Sequence, residues 1–143
     1  MSTSHATHRT DVQMRFCDTD ALGHVNNARY LESLETARLD FLSVLGTTVR
    51  SLILANLHID YRRQVELGDR IHVDSWVERL GNSSITIAHT LYANDERAAD
   101  VTSVVVHFDY ERGQSEPLTP EMRAALERYM AAESDLLSPA HRR

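Results

Sequence analysis

Apolar and polar residues alternate along positions 10–16. Val12, Met14 and Phe16 stand against Asp11, Gln13 and Arg15, a period of two that predicts a strand. After a polar loop the period changes. Projected at ~100° per residue, positions 26–45 place Tyr30, Leu31, Leu34, Ala37, Phe41, Leu42 and Leu45 on one arc, with Arg29, Glu32, Ser33, Thr36, Asp40 and Ser43 opposite. That predicts an amphipathic helix stopped by Gly46, as a C-terminal glycine does. Arg38 falls within the apolar arc and so needs a partner; Glu35, at i−3, can supply one. Four runs rich in Val, Ile, Thr and aromatics follow at 51–61, 70–80, 83–93 and 98–110, each predicting a strand. The breaks at 67–69, 80–82 and 93–96 are short, which favours antiparallel neighbours. Pro117-Leu118-Thr119-Pro120 then leads into a short helix over 121–130. One dominant helix with a five-stranded antiparallel sheet is an α+β arrangement.

Composition narrows the function. A chain of 143 residues is expected to form one domain. Residues 1–8 and 133–143 read as polar tails and 9–132 as the body. The net charge is −6 and there is no basic block, so no nucleic-acid partner is expected. Every basic residue is arginine; with no lysine, Schiff-base and lysine-base mechanisms are excluded. Arginine still suits carboxylate and phosphate. The single cysteine, Cys17, leaves no internal disulfide and no cysteine-based zinc site. The N-terminus has no apolar core of a signal peptide, and no apolar run nears the ~18 residues of a membrane span. A cytoplasmic protein is the expectation.

The stretch R-F-C-D-T-D-A-L-G-H-V-N-N-A-R-Y at 15–30 carries more polar groups than a helix start requires. One reading is structural: Asp18, Asp20 and the asparagines satisfy a turn and cap the helix. The other is chemical. A helix N-terminus offers unpaired N–H groups and partial positive charge. Asp20 on the loop before it could attack a carbonyl, or activate water, while those N–H groups polarise the carbonyl oxygen. Gly23 would permit close backbone approach. Spacing alone favours capping. Cys17 reads as an inert thiol. His58, His72, His89 and His107 scatter over predicted strands, and H-x-D at 58–60 and 72–74 is a weak metal pattern. Asp20 and His24 could form a dehydratase-like acid/base pair. There is no G-x-S-x-G elbow and no glycine-rich phosphate loop.

R-F-x-D-T-D-A-x-G-H-V-N-N-x-x-Y, followed by L-E-x-x-E-x-A-R, resembles the hotdog-fold acyl-CoA thioesterases of the 4-hydroxybenzoyl-CoA thioesterase type. I-D-Y-R-R-Q-V-x-L-G-D-x-I-x-V at 59–73, L-G-N-S-S-I-T-I at 80–87 and V-V-V-H-F-D at 104–109 extend the likeness over about residues 10–125. The resemblance implies a long central helix wrapped by a curved sheet. It implies a homodimer or dimer of dimers with active sites at the subunit interface, an acyl-CoA substrate, no metal and no separate cofactor. It assigns the catalytic carboxylate to Asp20. Oxyanion and substrate contacts fall on Gly23, His24, Val25, Asn26 and Asn27; several relatives carry tyrosine or histidine at the position of Asn27. Arg62 or Arg63 would meet the coenzyme A phosphates. D-x3-H running directly into the helix departs from the dehydratase spacing and favours the thioesterase. An acyl-carrier-protein thioesterase and a non-catalytic acyl-binding or assembly subunit are the alternatives.

Overall fold

The computed structural model describes residues 6–13 and 27–130. Strand β1 spans His8–Val12 and so begins two residues before the alternation at 10–16, whose positions 14–16 lie outside the described residues. Helix α1 runs Asn27–Leu42 and continues as a 3₁₀ segment, Ser43–Ser51. Gly46 breaks that segment with φ 61° and ψ −134°, a backbone state natural to glycine. The α-helix is therefore shorter than the predicted 26–45. Strands β2 (Leu52–Tyr61), β3 (Ile71–Leu80), β4 (Ser84–Ala93) and β5 (Glu96–Asp109) follow. A two-residue strand, β6 (Gln114–Ser115), and helix α2 (Pro120–Glu127) complete the order. Among the described residues the strands pair antiparallel throughout. The order is β1-β3-β4-β5-β2, with β6 on β5. Among the described residues the expected five strands are thus joined by a sixth, too short to show as a period in sequence.

Local chemistry fixes the joints. The β4–β5 hairpin turns at Asn94 and Asp95, both with positive φ (52° and 64°), the signature of a type I′ turn. Asn94 also accepts the Arg70 N–H and donates to Asp69, each at 2.9 Å. At α2 the Thr119 hydroxyl accepts the Met122 N–H at 3.1 Å, and Pro120 follows at the first helical position. Register shifts fall between Leu54 and Asn56, between Val77 and Arg79, and between Leu91 and Tyr92. Such bulges raise local twist, which suits a sheet that curls around a helix.

Helix α1 lies on one face of this sheet and buries two apolar clusters against it. Tyr30, Leu34 and Ala37 pack with Val73, Leu91 and Val101. Phe41 and Leu42 pack with Val77, Ile87, Val105 and, from α2, Met122 and Leu126. Of the predicted apolar arc, Leu31 departs: it is 44% exposed. On the other flank Asp40 accepts hydrogen bonds from Thr10 (2.6 Å) and His8 (2.7 Å), which fastens α1 to edge strand β1. Those bonds hold the Asp40 carboxyl below its ordinary pKa.

Between the two clusters the core turns polar. His89 is buried, its Nδ1 2.8 Å from the Ser75 hydroxyl and its Nε2 3.2 Å from that of Ser103. Burial, and then the charge of Arg38 on α1, push its pKa down to about 3. The unfolded chain takes up this proton below about pH 6.5, whereas the folded chain resists until about pH 3. Stability should therefore fall as pH drops through that window, by up to about 1.4 kcal/mol per pH unit from this group. Urea midpoints at about pH 7 and about pH 5 should separate more in the wild type than in His89→Gln. Equal separations in the two proteins would show that His89 does not carry this linkage.

Candidate active site

The N-terminus of α1 begins at Asn27, seven positions after Asp20. Asp20, Gly23, His24, Val25 and Asn26 lie outside the described residues, as do Cys17 and Asp18. What the structure places is the platform that follows them. The first turn, Asn27 to Tyr30, carries no acidic side chain. The partial positive charge of the helix end is thus not offset by a carboxylate of that turn. Arg29 adds positive charge and is ion-paired with Glu32 at 2.7 Å.

Tyr30 anchors this end of the helix. Its ring is buried, and its phenol is held above its ordinary pKa first by burial, with a hydrogen bond from the Val65 backbone opposing. It therefore stays protonated near neutral pH. Tyr61, at the end of β2, meets it edge-on, with ring centroids 5.2 Å apart and planes at 87°. Tyr61 is 46% exposed and lies beside the first turn of α1. Sequence reading placed Tyr30 on the apolar arc and Tyr61 at a strand end, with no contact between them. The signal for their contact was that each closes its element at the same end of the sheet, which becomes visible only once α1 is laid antiparallel to β2.

The two arginines proposed for phosphate contact separate. Arg62 donates from Nε to Asp100 at 2.7 Å. Arg97 grips the same carboxylate with two bonds, 2.6 and 2.5 Å. Asp100 pairs with Thr90 in register, while the neighbouring Val101 packs toward α1, so Arg62 is held on the sheet face away from α1. Arg63 is looser. It lies 3.5 Å from Glu96 and 3.9 Å from Asp69, and its charge is felt by the Tyr30 phenol. Arg63 is thus the arginine on the side of the α1 N-terminus.

The histidines disperse. His58 pairs with Asp60 at 3.2 Å beside a shallow hollow on the outer face of the sheet, lined also by Trp76, Thr90 and Thr102. His72 stacks on Tyr92 with centroids 4.7 Å apart. His107 lies 3.0 Å from the Pro117 carbonyl and 3.1 Å from Glu116. Among the described residues no three His, Cys, Asp or Glu side chains gather as metal ligands. No helix among them is long and apolar enough to cross a membrane.

Comparison with known proteins gives this platform its context. Residues 14–126 match the family model of the thioesterase-like superfamily. The chain is 32% identical to the long-chain acyl-CoA thioesterase FadM of Escherichia coli, over 83% of this chain and 96% of that protein. It is 29% identical to the acyl-CoA thioesterase YbgC of Haemophilus influenzae, over 80% and 90% of the two chains. Among solved structures it resembles a thioesterase of Thermus thermophilus complexed with coenzyme A and Zn, at 34% identity and a TM-score of 0.78, covering 83% of this chain and 90% of the other. The matched span takes in the D-T-D-A-L-G-H-V-N-N stretch, helix α1 and strands β2 to β5, and the chain belongs to the thioesterase-like superfamily with its hotdog fold.

Proposed function

We infer that the protein is an acyl-CoA thioesterase: water cleaves R–CO–S–CoA into a free acid and coenzyme A. The observation that carries this reading is the family match across 14–126, joined to a helix that starts seven positions after Asp20 with no acid in its first turn. Acyl transfer to water needs a carboxylate at the carbonyl carbon and oriented donors at its oxygen. Asp20 supplies the carboxylate, either attacking the carbonyl itself or taking a proton from the water that attacks. The N–H groups of Val25 to Asn27 receive the oxyanion. Collapse of the tetrahedral intermediate expels the thiolate, which takes up a proton, from Asp20 where it acted as base and otherwise from water; where Asp20 itself attacked, water then cleaves the acyl-aspartyl anhydride to the free acid. Gly23 and His24 line the approach. No metal or separate cofactor is part of this scheme. A cytoplasmic setting accords with a coenzyme A ester as substrate and with the lone Cys17.

The working unit in this reading is a homodimer, or a dimer of dimers, with the site at the subunit interface. Strand β2 supports it. It ends the strand order, runs ten residues, and among the described residues pairs on one side only. Such an edge invites a further strand. Arg63, rather than Arg62, meets the coenzyme A phosphates, because Arg62 is committed to Asp100 across the sheet.

A panel of aromatic, short-chain and long-chain acyl-CoAs tests the activity; thiol release from none of them would defeat it. Asp20→Asn should lower turnover at least ~10²-fold with coenzyme A binding little changed. Near-normal turnover in that variant would remove Asp20 from the mechanism. Arg63→Gln should raise KM for acyl-CoA about fivefold, a contact of about 1 kcal/mol. It should leave unchanged the hydrolysis of the matching N-acetylcysteamine thioester, which lacks the phosphates. An equal loss on both substrates would place Arg63 elsewhere than on the phosphates.

A further inference from the structure

Arg38 carries a charge that no ion pair among the described residues answers. It is half-buried, and burial lowers its pKa from the ordinary arginine value while Glu35 acts in the opposite sense. The two residues were expected to close an i,i+3 pair. Among the described residues, however, neither forms an ion pair; Glu35 points to solvent while Arg38 leans toward the sheet, where its charge is felt at His89. His89 is neutral, and Ser75 and Ser103 occupy its ring nitrogens. Among the described residues, nothing facing Arg38 from the sheet supplies a paired negative charge.

The flank of α1 on which these residues stand is defined by its neighbours. Asp40 marks the β1 side through Thr10 and His8. Taking Tyr30 as zero, Asp40 lies at ~280°, whereas Arg38, Leu31 and Glu35 lie at ~80°, ~100° and ~140°. They therefore face the β2 side. Leu31 and Leu39, 44% and 49% exposed, border that flank with apolar surface open to solvent. Beyond it is β2, which ends the strand order among the described residues.

Self-pairing of an antiparallel edge strand sets a two-fold axis normal to the sheet. Both α1 helices then lie on one face, antiparallel, with their β2-side flanks opposed. The level matches. Tyr30 touches Tyr61, and the midpoint of Glu35 and Arg38 lies ~10 Å further along α1 at ~1.5 Å per residue. At ~3.4 Å per residue this is ~3 residues back along β2, near His58 and close to the middle of the strand. A two-fold near that point brings Arg38 of one copy against Glu35 of the other, twice. We propose that a second copy of this chain packs on this flank of α1, with Arg38 of each subunit paired to Glu35 of the partner subunit.

The proposal rests on the homodimer reading and is separable from it. Glu35→Arg and Arg38→Glu, made in separate chains, should each weaken the dimer at least about tenfold, because each sets like charges face to face. Mixed together they should assemble preferentially as a heterodimer, in which both cross-interface pairs are opposite in sign. Pairing within one chain gives no such preference, since each variant chain carries two like charges. Sedimentation of the singles and of the mixture, with one partner labelled, reads this directly. If Arg38→Glu does not fold, Glu35→Gln and Arg38→Gln read the same contact as a coupling: the double variant should dissociate about as readily as either single. Singles that dimerise like the wild type and mix at random, or neutral variants whose effects multiply, overturn the pairing while leaving the dimer. A wild-type chain that is monomeric at micromolar concentration overturns both.

Discussion

The structure depends on how one helix is held against one curved sheet. Helix α1 contributes Tyr30, Leu34, Ala37, Phe41 and Leu42 to the core. The sheet answers with two separate apolar clusters, one toward each end of the helix. Burial of this kind, at about 25 cal/mol per Å² of apolar surface, is what fixes a helix in place. Tyr30 sets the entry end and Phe41, edge-on to Tyr129 at 5.1 Å, the exit end. With both ends fixed, the N–H groups of the first turn point in a set direction. A donor array that does not reorganise during reaction is what stabilises a developing oxyanion.

Between those clusters the core sets polar groups in apolar surroundings. A buried histidine bonded to two serines costs desolvation that its hydrogen bonds offset. The nearby Arg38 would be hard to tolerate in a fully closed core, because a buried charge without a counter-charge is strongly destabilising. Its place at the flank of α1, on the side of β2, would let the proposed subunit contact supply what the described residues of one chain do not. The same contact would extend the sheet and cover Leu31 and Leu39. On this account assembly and core polarity are one arrangement seen at two scales.

Much of this was legible in the sequence, for physical reasons. Strands β2 to β5 lie within a residue or two of the runs that β-branched and aromatic residues marked, because alternation and turn chemistry act locally. The arc of α1 was also legible, since the helical period records which side is buried. Leu31 was misassigned because sequence does not show how far a sheet wraps around a helix flank. The start of β1 was missed because His8 and Arg9 carry no apolar signal; pairing with Ser75 and Asp74, not local preference, makes them a strand. The expected Glu35–Arg38 pair was a fair inference from spacing, yet side chains one turn apart can point into different surroundings. Asp20 stood out as a carboxylate before a helix, whereas the division of labour between Arg62 and Arg63 required the position of Asp100 across the sheet.

The central claim is that the start of α1 polarises a thioester carbonyl beside Asp20. The most direct measurement is the infrared stretch of a ¹³C-labelled acyl-CoA carbonyl bound to Asp20→Asn, which holds the substrate without consuming it. The account predicts a frequency below that of the same thioester in water, because oriented N–H donors weaken the carbon–oxygen double bond. A frequency equal to or above the aqueous value would contradict it.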